Sequence, residues 1–302
     1  MAPAVNEPPS AFCQTTVRDV LREVQVRLER VAGFETHATY ARLLVSAALA
    51  VEPADVHPLD AEVLSTKGAV LLEDYFSRSP LPPVPLYLGY CYVGGVRLAV
   101  SEATLIPGSE TERMFDVATE LASRIDARLI AEAGTGCGKI AIVLARRLPK
   151  AALYATDCAS DALDIARRNI ATHGLEDRIK CYHGDWLDPL RADGLGSSID
   201  LIVSNPPYCE ERSLAELPSG FATFAPRLAI NGGKDGLACH RAIVSSGLEF
   251  LRADGWLLLQ TDEGQTSNVA DCIRHVGGFG EPRVERGSRG TPRFVCAQRR
   301  AG

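Results

Sequence analysis

Apolar residues in the first part of the chain recur at helical spacing. Val17, Val20, Leu21, Val24, Leu28 and Val31 fall on one stripe behind Thr15 or Thr16, either of which can cap the helix, and Gly33 follows its end. A second helix is predicted from about Thr36 to Ala50 and a third from about Leu59 to Ser77, started by Pro58. Short connections predict a small bundle over residues 11–79, preceded by a Pro-rich, polar and disordered start at residues 1–10. Pro80-Leu81-Pro82-Pro83-Val84-Pro85 breaks the helical pattern and reads as a stiff linker. From Leu86 to Val100 the pattern turns strand-like, with Tyr90, Tyr92 and Val93 before Gly94-Gly95 and Val96, Leu98 and Val100 after it. Residues 80–103 are therefore read as linker plus hairpin.

Beyond this hairpin the segment Ile106 to Glu112 leads into a helix with Met114, Val117, Ala118 and Leu121 on one face. From Arg128 onward short apolar runs alternate with helical patterns. Strands are predicted at Leu129–Ala133, Leu153–Thr156, Ile179–His183, Ile199–Ser204 and Trp256–Thr261, and final strands near Arg283–Glu285 and Phe294–Ala297. Helices are predicted at about Lys139–Arg147, Ser160–His173, Gly236–Arg252 and Gln265–Val276. The alternation predicts an α/β domain over residues 104–302, with a parallel sheet covered on both faces.

Composition narrows the partners. With 302 residues and 46% hydrophobic content the chain can bury a sizeable core and suits a main domain with a smaller appendage. A net charge of −6 leaves no electrostatic footprint for a nucleic-acid backbone, so direct nucleic-acid binding is not expected. No apolar run approaches a membrane span, and Met1–Ser10 lacks the pattern of a secretory signal. The nine cysteines are scattered without close pairs, which argues against a disulfide framework or a zinc site and for a reducing cytoplasm.

Candidate chemistry lies at the ends of the predicted strands. Asn205-Pro206-Pro207-Tyr208 follows Ile199–Ser204 directly; proline lacks an N–H and holds the preceding residue extended, which leaves carbonyls there free to accept from a substrate. The first strand runs into Glu132-Ala133-Gly134-Thr135-Gly136-Cys137-Gly138 and a helix, a turn tight enough for a ligand to lie on bare backbone. It departs from the dinucleotide spacing, and Lys139 does not complete a Walker arrangement. The second strand ends at Asp157, which can accept both hydroxyls of a ribose or cap the helix near Ser160. Asp185 and Trp186 close the third strand, as an adenine hydrogen-bond partner and stacking wall or, for Trp186, as core filling.

Together these motifs resemble class I S-adenosylmethionine-dependent methyltransferases, and Asn205–Tyr208 those that alkylate a planar nitrogen. From about Pro80 to Gln298 the chain is similar to the PrmC/HemK family of protein-glutamine N5-methyltransferases. The match runs through Pro85–Gly89, Ile106–Glu112, the glycine loop, Asp157, Gly184–Trp186, Asn205–Tyr208, Pro226-Arg227-Leu228-Ala229, Gly232-Gly233 and Asp235-Gly236-Leu237. The resemblance implies a Rossmann-like, seven-stranded, mostly parallel sheet with an N-terminal helical substrate-recognition domain. It implies S-adenosylmethionine held by Glu132, Gly134, Thr135, Gly136, Gly138, Asp157, Asp185, Trp186 and Asn205. It implies catalysis by Asn205, Pro206, Pro207 and Tyr208 on the glutamine of a Gly-Gly-Gln loop in a peptide-chain release factor. Tyr208 is read as a wall against the planar group or as a core tyrosine with a satisfied hydroxyl.

Three positions depart from the family. Gly108-Ser109 stands where Arg-Pro is usual, Ala225 where a glutamate precedes the Pro-Arg-Leu-Ala run, and Cys209-Glu210-Glu211-Arg212 where an apolar residue follows the tyrosine. These changes raise a second acceptor, a free amino acid with an amide or guanidino side chain, for which Glu210 or Glu211 would neutralise a cation and Arg212 or Arg227 hold a carboxylate. The glutamate pair is also consistent with a solvated loop. Thr111 and Glu112 complete the candidate substrate contacts, and no metal site is expected.

Overall fold

The computed structural model describes residues 12–30, 37–108, 110–217 and 223–301. The expected disorder of Met1–Ser10, and positions Val31, Gly33, Thr36 and Ser109, lie outside them. The chain divides into two compact units, Met1–Gly89 with Leu217–Phe224, and Tyr90–Glu216 with Ala225–Gly302. The division falls at Gly89, with the Pro-rich stretch in the helical unit and the hairpin in the sheet unit.

In the first unit α1 (Val17–Glu29) starts at Thr16, whose hydroxyl accepts the Asp19 N–H at 3.3 Å, and buries Val17, Val20, Val24 and Leu28. Helix α2 (His37–Leu49) buries Ala41, Leu44 and Val45. Helix α3 (Thr66–Ser77) begins later than the expected Leu59. The chain before it pairs with the approach to α1, Val17 N–H donating to the Glu62 carbonyl and Leu64 N–H to that of Thr15. Pro58 lies in a separate 3₁₀ turn, and Ser65 is the cap, accepting the Gly68 N–H at 3.2 Å. The last two residues of the Pro-rich stretch, Val84 and Pro85, are helical. Pro85 sits in the first turn of α4 (Val84–Leu88), where a missing N–H costs nothing, and Gly89 ends the helix at φ 77°, so Leu86–Leu88 is not strand.

In the second unit β1 (Tyr90–Val93) and β2 (Val96–Ala99) form the expected hairpin about Gly94-Gly95. Helix α5 (Glu110–Arg124) follows, then β3 (Leu129–Ala133), α6 (Lys139–Arg147), β4 (Ala152–Asp157), α7 (Ser160–Thr172), β5 (Ile179–His183) and β6 (Ile199–Ser204). After a single helical turn, α8 (Arg227–Ile230), come α9 (Ala238–Phe250), β7 (Leu251–Gln260), α10 (Thr266–Val276), β8 (Arg283–Arg286) and β9 (Pro292–Gln298). The sheet has seven strands in the order β5-β4-β3-β6-β7-β9-β8, and β9 alone runs against its neighbours.

Strand order reverses between β3 and β6, the crevice where open α/β sheets bind ligands. Both strands are buried throughout their middle, with Ile130, Ala131, Leu201, Ile202 and Val203 fully inside. Asp200 fixes their register: one carboxylate oxygen accepts the Arg128 and Leu129 N–H groups at 2.7 and 2.8 Å, and the other accepts from Arg252. The Ser204 hydroxyl donates to the Ala133 carbonyl at 2.6 Å, so the loops after β3 and β6 leave the sheet side by side.

Candidate active site

The loop after β3 is built to turn back on itself. Gly134, Gly136 and Gly138 have φ of 75°, 57° and 84°, left-handed values that a side chain would strain. Gly134 and Thr135 N–H both donate to the Thr156 carbonyl at 2.9 Å, and Gly138 N–H to that of Thr135 at 3.0 Å. Asp157 does not cap α7, whose cap position is Ala159 with no side-chain bond. Its Oδ2 accepts the Gly136 N–H at 2.8 Å and its Oδ1 the Ala159 N–H at 2.9 Å, tying the loop to the start of α7. Each oxygen keeps a further lone pair for a ribose hydroxyl.

Beneath the loop Glu132 is 1% exposed; its Oε2 accepts from the Thr135 hydroxyl at 2.8 Å and the Ala141 N–H at 2.9 Å, while its Oε1 has no partner. Burial pushes its carboxyl up to about 8 against the pull of those hydrogen bonds and of Lys139. Cys137 fills a small buried slot, its thiol pushed up to about 11 by burial. Asn169 in α7 joins the loop to the hairpin: its Nδ2 donates to the Cys137 carbonyl at 2.8 Å and the Ala99 carbonyl at 2.9 Å, and its Oδ1 accepts the Ala99 N–H at 2.7 Å.

A cavity of about 280 Å³ opens over this loop. The structure brings Gly134, Thr135, Gly136, Asp157, Asp185, Trp186, Asn205 and Pro207 to its walls. Trp186 does two jobs, packing on the main core and facing the Gly134 backbone, where an added Cβ would lie 3.7 Å from its ring. Asn205 Oδ1 is buried in this wall with no hydrogen-bond partner, an acceptor waiting for a donor.

Other expected residues stand elsewhere. Glu132 and Gly138 support the loop from outside the cavity lining. Pro206 is buried, and Tyr208 turns away from the cavity, its hydroxyl accepting from Arg293 Nη2 at 3.2 Å and its carbonyl from Gln265 Nε2 at 3.2 Å. Tyr208 is half-buried, has a satisfied hydroxyl and does not line the cavity. Thr111 is buried and Glu112 accepts the Gly94 N–H of the hairpin at 3.4 Å. Glu210 pairs with Arg212, Glu211 opens an exposed 3₁₀ turn, and Arg227 is exposed. None of these six lines the cavity.

Residues that carried no recognised signal complete it: Ala103, Thr104 and Leu105 ahead of α5, Lys139, and Cys158, Ala159 and Ala162 at α7. Pro226, Leu228 and Ala229 at α8 line it too, and Leu228 is 61% exposed on its rim. The glycines after α8 allow this rim to meet Asn205–Tyr208. A Cβ on Gly232 would lie 2.8 Å from the Tyr208 Cα, and one on Gly236 2.5 Å from its carbonyl oxygen. The two segments are laced by Cys209 N–H to Ile230, Gly232 N–H to Cys209 and Glu211 N–H to Gly233.

The strand order, the glycine loop beside a carboxylate, and an unpartnered acceptor across the switch point define a class I S-adenosylmethionine-dependent methyltransferase. Residues 107–234 match the family model of the methyltransferase small domain. The chain belongs to the release factor glutamine methyltransferases. It is 32% identical to the enzyme of that name from Moorella thermoacetica, covering 94% of this chain and 99% of the relative. It is 31% identical to that of Bradyrhizobium diazoefficiens, with 99% of each covered, and 35% identical to that of Thermosynechococcus vestitus, with 72% and 74% covered. The solved hMettl16 catalytic domain, in complex with an RNA hairpin, shares the fold, with a TM-score of 0.57 at 15% identity over 98% of this chain and 94% of that one. The protein is an N-methyltransferase that uses S-adenosylmethionine. Among the described residues no helix is long and apolar enough to cross a membrane.

Proposed function

We propose that this chain methylates the side-chain amide nitrogen of the glutamine in the Gly-Gly-Gln loop of peptide-chain release factors, in the cytoplasm. The observation that carries the reading is the orphaned Asn205 Oδ1 in the cavity wall, in a chain whose relatives bear that activity in their names. The site suits the cofactor: Asp157 has acceptor capacity for a ribose, Asp185 and Trp186 flank an adenine, and the glycine loop leaves room above its backbone. Bound S-adenosylmethionine supplies an electrophilic sulfonium methyl.

An amide nitrogen is a poor nucleophile because its lone pair is delocalised into the carbonyl. Asn205 Oδ1 accepts one amide N–H and the Pro206 carbonyl the other, which orients the nitrogen and favours its electron-rich, pyramidal form. Positive charge develops on that nitrogen during transfer, and the two oxygen dipoles stabilise it. No general base is needed before attack; the proton leaves to water afterwards. Pro207 walls the planar group and Leu228 meets the apolar part of the incoming loop. The N-terminal helices, residues 11–79, serve to recognise the protein substrate.

Incubation with labelled S-adenosylmethionine and, separately, a release factor and a panel of free amino acids tests this. Label should enter the factor's Gly-Gly-Gln glutamine. Label in a free amino acid and none in the factor would overturn the proposal.

A further inference from the structure

Four backbone donors of the glycine loop are turned inward. A glycine-rich loop at a helix N-terminus ordinarily offers N–H groups to an anion. Here the N–H groups of Gly134, Thr135, Gly136 and Gly138 are bonded to Thr156, Thr156, Asp157 and Thr135. The methionine portion of S-adenosylmethionine carries an α-carboxylate, which loses its water in the cavity and needs donors in return.

Lys139 has the opposite deficit. It is 7% exposed, opens α6 directly after the third glycine, and is the one cationic side chain among the residues lining the cavity. Two effects oppose a lysine there: burial penalises its ammonium, and the partial positive charge of a helix N-terminus repels it. Among the described residues its ammonium makes no hydrogen bond or ion pair. Its neighbour Glu132 is held largely neutral by burial, its carboxyl pushed up to about 8 with one oxygen engaged by Thr135 and Ala141, and the nearby Cys91 and Cys137 thiols are likewise held neutral by burial. A cation without an anion thus lines a cavity whose ligand carries an anion that these four donors do not meet.

We infer that Lys139 binds the α-carboxylate of the cofactor's methionine portion, an inference that rests on the cofactor reading of this cavity. It makes Lys139 a cofactor-binding residue in its own right, next to the loop rather than part of it.

Calorimetry on the full chain with two probes tests this: S-adenosylhomocysteine, and its analogue lacking the α-carboxylate. Wild type should prefer the first, and Lys139→Met should weaken it by about 10- to 100-fold while changing the second by no more than about twofold, the scale of a hydrogen bond to a charged group. Lys139→Arg should restore part of the preference. The apo Lys139→Met chain should melt no lower than wild type, since an unpaired buried ammonium has gone. Equal weakening of both probes by Lys139→Met, or weakening of neither, would overturn the inference. Wild type binding both probes alike overturns it without any variant and leaves the cofactor site standing, whereas wild type binding neither probe overturns the cofactor site as well.

Discussion

The two ends of the cavity are built differently. At the β3–β4 end four backbone donors of the loop are satisfied, Asp157 accepts from two segments, and Asn169 pins the loop to the hairpin. At the β6 end Asn205 Oδ1 is buried without a partner and Leu228 stands exposed on the rim. A buried acceptor left unmade costs about 1–3 kcal/mol, a cost removed when a ligand donates to it. The first end is preorganised to hold a cofactor that is always the same; the second keeps an unmet acceptor for the group that must be turned and activated.

If this division is right, the ends should fail separately. Asn205→Ala should slow methyl transfer by about 10²–10³-fold, the scale of deleting one preorganised polar contact to a developing charge. Its affinity for S-adenosylhomocysteine by calorimetry should stay within about twofold of wild type. Comparable loss of both would show that Asn205 is part of the cofactor end.

The next largest effect belongs to Asp157→Asn. An amide presents one oxygen, so the Gly136 or Ala159 N–H would face an NH₂ group and one ribose acceptor would be lost. Affinity for S-adenosylhomocysteine should fall about 10- to 100-fold. With cofactor raised to saturation, the transfer rate should recover; a rate that stays low would mean that Asp157 also shapes the acceptor end.

Arg293 sharpens the other side. It reaches from β9 to the Tyr208 hydroxyl at 3.2 Å and to Asp262 at 3.4 Å, with its guanidinium 5.7 Å from the tyrosine ring. Arg293→Met should leave cofactor affinity unchanged and raise the KM for the protein acceptor by about three- to tenfold, as the tyrosine and its proline neighbours lose a fixed seat. An unchanged KM would make the contact purely structural.

The sheet and its switch point were legible in the sequence because each buried strand is a short apolar run between turn residues; Ile199–Ser204 and Leu129–Ala133 coincide with the predicted strands. The glycine loop and Asp157 were legible because steric need for a positive φ and a carboxylate at a strand end leave local marks. What escaped depends on contacts remote in sequence. The start of α3 is set by pairing of residues 62–64 with residues 15–17, which no local pattern shows. Tyr208 reads as a wall until Arg293, 85 residues later, claims its hydroxyl. Lys139 reads only as the residue that opens a helix short of a Walker arrangement, until packing leaves it 7% exposed in the cavity wall. Glu210 and Glu211 attracted notice as charges near the acceptor motif, yet they follow the chain out of the cavity once Cys209 pairs with the Ile230–Gly232 segment.

The smallest effect discriminates the ends by proton. Glu132 has its carboxyl pushed up from 4.5 to about 8, chiefly by burial, beneath the glycine loop. A carboxyl whose folded pKa lies above its unfolded value binds more protons when folded, so its contribution to stability is full below the unfolded value and is lost as pH rises toward the folded one. The melting temperature of wild type should therefore decline between 4.5 and about 8 by this contribution. Glu132→Gln keeps an oxygen for the Thr135 hydroxyl and the Ala141 N–H and carries no charge, so it should flatten that decline. Affinity for S-adenosylhomocysteine should follow the same profile in wild type and not in the variant. Asn205 does not titrate, so the transfer rate at saturating cofactor should show no matching step in either protein; a step common to both would tie the proton to the acceptor end and dissolve the division.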